Sequence, residues 1–383
     1  MICETLFMFF RRLVFRSILI AVFFWFAPSA DVARQAPQHL SDAEYLRLIA
    51  RLSEEPGFFN SDNLISNESS YLQVLGGLRS LRVHDGVYLG VGPEQNFTYI
   101  AKTRPHLAII LDIRRQNLLF HWLFKSLFEM SRNRIEYLSY LFCKPLPSKT
   151  PLSKKSDVEQ LLTFLESIPR DPELFKKNLA LVELHLRQGH HFPLSAADGK
   201  VIRDIYREFF DNQFEIRFRS YGRPMYHFYP SFKEIALEKD LEGNWGNYLN
   251  SEEDFRFVKR LQERNLIIPV VGDFAGPKTV RAISTFIREM GETVSVFYVS
   301  NVEFYLLQNG VFGQYGENLK LLPFDDRSLL IRAYFRFPHP ERLPGYISAT
   351  LLQRATSFIQ IFDAKQYFSY QELGLRDYIA FRE

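Results

Sequence analysis

Short apolar runs bounded by glycine and polar residues recur along the chain, and between them apolar residues return every three or four positions. The first pattern predicts buried strands and the second predicts helices. Gly86 to Val91 (GVYLGV), Leu107 to Ile113 (LAIILDI), Leu266 to Val271 (LIIPVV) and Val294 to Val299 (VSVFYV) read as four such strands. Leu329 to Phe337 (LLIRAYFRF) and Ser357 to Phe362 (SFIQIF) are candidates for later ones. Glu94 to Lys102, Arg115 to about Arg132 and Pro277 to Met290 carry a helical rhythm, the last closed by Gly291. The alternation breaks from about 131 to 264, where Val158 to Ile168, Pro172 to Gln188 and Ala196 to Phe210 read as amphipathic helices.

Buried strands alternating with helices demand right-handed crossovers and a mostly parallel sheet covered on both faces. The expected fold is α/β: a doubly wound, mostly parallel Rossmann-like sheet within residues 31–383, carrying a large helical insertion at about 131–264. In such sheets ligands sit beyond the carboxyl ends of the strands. The polar residues that matter are therefore those following Val91, Leu111, Val271 and Val299.

Composition narrows the classes. Of 383 residues, 46% are apolar and 24% charged, which excludes disordered, collagenous and polytopic membrane chains. With 47 basic against 44 acidic side chains there is no broad footprint for nucleic acid. Cys3 and Cys143 are too few for a disulfide framework, and Cys143 reads as a small buried hydrophobe. Residues 1–30 form a separate object: Arg11, Arg12 and Arg16 precede ten consecutive apolar residues, Ile18 to Ala27, followed by small ones. That run is short for a bilayer span, which takes roughly 20 residues, and fits a secretory signal or N-terminal anchor. The chain is then exported or membrane-anchored through this segment. An over-extended gene start, with a cytoplasmic product, is the alternative.

Gly90-Val91-Gly92-Pro93 joins a strand to a helix, where glycine lets the backbone turn tightly and approach a ligand. Asp112 ends the second strand twenty positions past Gly92, placed to accept both hydroxyls of a ribose or, more plainly, to cap a helix. Arg114 and Arg115 read as exposed arginines opening that helix. A dinucleotide site would want a third glycine where Gln95 stands. Asp273 is either a capping residue or a ligand contact. Asn301 is placed to accept a hydrogen bond from an acceptor amine and Glu303 to act as a general base, with helix capping by Ser300 or Asn301 as the plainer role. Asn67 and Glu68 lie in a polar stretch before an apolar helical run, Leu72 to Leu81, where Ser66 with Ser69 or Asn67 with Ser70 suits N-cap chemistry. His185, His190 and His191 are grouped, yet no carboxylate completes an obvious metal set, so no metal is expected. Serine-hydrolase, P-loop and zinc-protease signatures are missing.

The blocks YLGVGPEQN (Tyr88 to Asn96), LDIRRQN (Leu111 to Asn117), VGDFAG (Val271 to Gly276) and FYVSNVE (Phe297 to Glu303) resemble class I S-adenosylmethionine-dependent methyltransferases, in particular an uncharacterised bacterial methyltransferase-like family, over roughly residues 55 to 375. The resemblance implies that Gly90 and Gly92 face the methionine portion of S-adenosylmethionine, that Asp112 holds its ribose and that Asp273 lies near the adenine. Tyr88 stands where such enzymes carry an acid for the cofactor's amino group, so Glu94 or Glu68 would have to supply that charge. The implied function is binding of S-adenosylmethionine or a related adenosyl nucleoside, with methyl transfer to an unidentified acceptor. A non-catalytic exported binding or structural module on the same fold is the alternative, and a NAD(P)-dependent oxidoreductase the third reading.

Overall fold

The computed structural model describes residues 36–380; the N-terminal signal or anchor and the Arg11-Arg12 pair lie outside them. Seven strands form one sheet in the order β3-β2-β1-β4-β5-β6-β7. These are β1 (Val87–Gly90), β2 (Leu107–Asp112), β3 (Ile267–Val271), β4 (Val294–Ser300), β5 (Leu329–Phe335), β6 (Ser348–Arg354) and β7 (Tyr378–Ile379). From β3 to β5 neighbours run parallel, and the last two pairings are antiparallel. The fold is therefore α/β with a mostly parallel mixed sheet. β1 and β2 are buried at every position, as continuous apolar runs require of strands covered on both faces. Pro269 interrupts an otherwise β-branched β3, and that strand lies at the sheet edge, where a missing N–H leaves no ladder partner wanting.

The chain goes outward from β1 to β2 and β3, then returns to lay β4 on the other side of β1. Between β2 and β3 come only helices, among them Arg115–Met130, Arg134–Phe142, Val158–Glu166, Pro172–Leu184, Ala196–Asn212 and Glu252–Glu263. Side-chain caps start five of these six: Asn133, Asp157, Asp171, Ser195 and Ser251 each accept first-turn N–H groups. Arg134, almost fully buried, pins the start of this segment to its end, its Nη1 donating to the carbonyls of Leu249 and Asn250 at 2.6 Å each.

Two expectations need correction. Ser357 to Phe362 is not a strand; it lies in the helix Ala355–Asp363, and β6 is the preceding segment Ser348–Arg354. Phe358 and Phe362, four residues apart, stack on one face of that helix. Neither Ser66 nor Asn67 caps a helix either: the helix there is Leu75–Ser80, which has no side-chain cap, while the Ser70 hydroxyl pairs with those of Ser348 (2.8 Å) and Thr350 (3.0 Å) on β6, and Ser69 Oγ accepts from Ile347 N–H. Cys143 is buried, its thiol pushed up to about 11 by desolvation. Among the described residues, no helix is long and apolar enough to cross a membrane.

Candidate functional site

The carboxyl ends of β1 to β4 open onto one cavity. Gly92, Asp112, Asp273, Asn301 and Asn67 all border it, together with Ser300 and Gln95. Crossing over the ends of β2 and β3, the segment before β1 supplies Phe58 and Phe59 as walls. It is tied down by Gly57 N–H to Ile113 O (2.8 Å) and by Glu54, whose N–H reaches Val271 O and whose Oε1 accepts from Asp273 N–H. Phe59 meets Tyr305 edge-on at 4.9 Å, and Phe218 arrives from the helical segment between β2 and β3.

The loop after β1 is shaped from beneath. Tyr88 is buried and donates its hydroxyl to Asn96 Oδ1 (2.8 Å); Asn96 Nδ2 in turn holds the carbonyls of Val91 and Pro93. Gly90 faces this support rather than the cavity, since a Cβ there would lie 2.0 Å from Asn96 Oδ1. It does not border the cavity, so the expectation that it faces a cofactor is corrected. Gly92 does border it, in a left-handed conformation (φ +84°) that other residues enter only with strain, and its carbonyl accepts from His121 Nε2 at 2.9 Å. Burial pulls the His121 imidazole down to about 4, so it is neutral and can act as that donor.

Asp112 lies at the cavity wall, but its two oxygens are gripped by Arg114, Nε to Oδ1 at 3.0 Å and Nη2 to Oδ2 at 2.9 Å. Arg114 is not the exposed helix-opening residue expected from sequence; it is 4% exposed and its Nη1 also donates to the carbonyls of Ser61 and Asp62. The Arg114 backbone N–H donates to Oδ1 as well, at 2.9 Å, so the carboxylate is oriented with Oδ1 doubly bonded and Oδ2 left a lone pair for a further donor. Asp273 turns its own loop, Oδ1 accepting from Ala275 N–H at 2.9 Å, while the helix that follows begins only at Thr279.

The remaining acids divide sharply. Glu303 was a candidate base, yet it is buried against Arg332, with contacts of 2.7 and 3.1 Å, and accepts from Tyr315. It does not border the cavity, so that role is corrected. Glu94 is buried behind Pro93 and Gln95 with Oε2 unpartnered, its carboxyl pushed up to about 8 by desolvation, and so it offers no ready negative charge to the cavity. Glu68 sits one residue behind the wall: Ser300 Oγ donates to its Oε1 at 2.5 Å, and Tyr298 OH donates to the same oxygen while accepting from Gln95 Nε2. Burial raises this carboxyl to about 7. Ser300 has positive φ (+51°) at a register shift between β4 and β5, which aims the end of β4 into the cavity. Neither Ser300 nor Asn301 makes a side-chain cap to the helix Val302–Gln308. Ser300, Gln95 and Arg114 are the residues sequence reasoning undervalued, and only their positions beside Gly92, Asp112 and Asn301 signalled them.

Elsewhere, His185 and His190 do meet a carboxylate, Glu129, with one ligand atom of each within 4.8 Å of the others. The carboxylate missing from the sequence reading is Glu129, which meets the two histidines only through the fold.

No curated protein matches the chain. The family described as Domain of unknown function (DUF7790) matches residues 64–145 and 198–376, which together span most of the cavity-forming sheet and skip 146–197. The chain accordingly belongs to the DUF7790 family.

Proposed function

We propose that this chain binds S-adenosylmethionine or a related adenosyl nucleoside on a doubly wound, Rossmann-like sheet and serves as a methyltransferase-like protein. The observation that carries the reading is the meeting of Gly92, Asp112 and Asp273 in one cavity where the strand order reverses between β1 and β4. The residues fit an adenosyl ligand. Gly92 leaves open space beside Asn63 and Gln95 that a Cβ would enter, and Gln95 Oε1 is buried without a partner at the cavity wall. Asp112 Oδ2, steadied by Arg114, would accept a ribose hydroxyl; Asp273 would receive an adenine amine; the phenyl rings of Phe58 and Phe274 offer apolar faces. When bound, S-adenosylmethionine supplies an electrophilic methyl group on sulfur.

The chain's own part is positioning and proton handling. The Asn301 amide orients an acceptor amine or hydroxyl. Ser300 Oγ takes the acceptor's proton as it passes its own to Glu68, a carboxyl raised to about 7 and so suited to work near neutrality. This places the base at Glu68 acting through Ser300, in place of Glu303. Calorimetric titration of the full-length chain with S-adenosylmethionine and S-adenosylhomocysteine tests the reading. A saturable signal that Asp112→Ala reduces at least about tenfold, the loss of roughly 1.4 kcal/mol expected for hydrogen bonds to a charged group, supports it; silence with both ligands sinks it.

Two observations favour a second reading, a non-catalytic binding module. Tyr88 replaces the usual acid, and Arg114 already makes three hydrogen bonds to Asp112, two onto Oδ1 and one onto Oδ2. Saturable binding with no methyl transfer to small amines, phenols or proteins would select it. A dinucleotide is disfavoured because the Gln95 side chain fills the place where a pyrophosphate needs glycine.

A further inference from the structure

We propose that Glu129, His185 and His190 form a three-ligand site for a divalent transition-metal ion, zinc by preference, remote from the cavity. Glu129 lies at the far end of the helix Arg115–Met130 from Asp112, about 21 Å along its axis from Arg115 at 1.5 Å per residue. The ligand atoms converge: Glu129 Oε2 is 2.6 Å from His190 Nε2 and 3.3 Å from His185 Nε2. Ligands on a tetrahedral zinc with bonds of about 2.1 Å stand about 3.4 Å apart, so one contact already has that spacing and the other opens by less than about 1 Å.

Three further features point to an ion. Both rings are oriented from behind, as metal-bound imidazoles are: Asp42 Oδ1 faces His190 Nδ1 at 2.9 Å and Ser126 Oγ faces His185 Nδ1 at 3.3 Å, which presents each Nε2 to the site. Glu129 is prepared in the same way, with Lys125 Nζ on Oε1 at 2.6 Å and Oε2 left for the ion. The backbone is built for the pair. Five residues in an α-helix rotate by about 140°, which would put the two histidines on different faces. Here His185–Gly189 is a π-helical turn, His190 N–H bonds to His185 O at 3.0 Å, and the rings lie 4.7 Å apart. With neutral imidazoles, Glu129, Asp42 and Lys125 leave one negative charge around the ion. Nitrogen and carboxylate ligands select zinc or its neighbours over calcium and magnesium. Both histidines fall in residues 146–197, which the family match skips, so the site would clasp this chain's added helices to the helix from β2.

The test is metal titration of the chelator-stripped full-length protein. One Zn²⁺ per chain should bind in competition with a chromophoric chelator, and Co²⁺ should give the visible absorption of a tetrahedral site, while Ca²⁺ and Mg²⁺ do neither. His185→Ala and His190→Ala should each weaken Zn²⁺ binding at least about 100-fold, and Asp42→Asn about 10- to 100-fold by releasing His190. His191→Ala, at the exposed neighbour, should leave it unchanged. Far-ultraviolet circular dichroism of each variant without metal guards against misfolding, and Asp42→Asn carries the test should a ligand variant fail to fold. Absence of saturable Zn²⁺ binding to the wild-type chain, or equal loss in His191→Ala, overturns the proposal. None of these readouts depends on nucleoside binding.

Discussion

Glu94 shows how one buried carboxyl sets a pH dependence. It is fully buried, and desolvation raises it from an ordinary 4.5 to about 8. Between those values the folded protein holds a proton that the unfolded chain has released, and stability falls as pH rises through that window. Glu94→Gln keeps the shape and removes the charge. The variant should match wild type in urea unfolding near pH 4.5 and exceed it at pH 8 by roughly 4 kcal/mol; an unchanged difference across that range would refute the assignment. The two loop glycines differ at the same scale. Gly90 answers to Asn96 in the interior, whereas Gly92 answers to a left-handed backbone at the cavity, a distinction that two identical letters cannot carry.

At the scale of elements, the Glu303–Arg332 pair ties the helix Val302–Gln308 to β5, and Arg332 Nη1 donates onward to Gln353 on β6 at 2.7 Å. Both partners are 1% exposed. Removing one leaves an uncompensated buried charge, so Glu303→Gln should cost about 3 to 5 kcal/mol in chemical denaturation, and the double variant Glu303→Leu with Arg332→Leu should recover much of it. A small effect of Glu303→Gln on stability, with loss of ligand binding, would return Glu303 to the site. Strands β1 to β4 were legible because a strand buried on both faces is an unbroken apolar run with a turn residue after it. The helix Ala355–Asp363 was not, because a short apolar run of six fits either period until its neighbours are known.

For the whole molecule, the cavity is closed by pieces far apart in sequence: the crossing segment with Phe58 and Phe59, the ends of β1 to β4, and Phe218 from the helices between β2 and β3. A ligand held by all of them stabilises the entire fold. S-adenosylhomocysteine at about 100 times its dissociation constant should add about 2.7 kcal/mol to unfolding, seen as a later denaturation midpoint; a tenfold weaker Asp112→Ala should keep about half of that shift or less at the same concentration. No shift at any concentration would count against the adenosyl reading. By itself the sequence determined strands β1 to β5, the glycines of the β1 loop and the acids at the strand ends, since backbone conformation and burial of contiguous residues are local properties written in periodicity. Which of those acids stand free and which are neutralised was decided only by tertiary structure. Arg114 on Asp112, Arg332 on Glu303, Ser300 on Glu68 and Glu129 on the two histidines are pairings through space. Electrostatics and desolvation depend on distance across the fold, which sequence order does not encode.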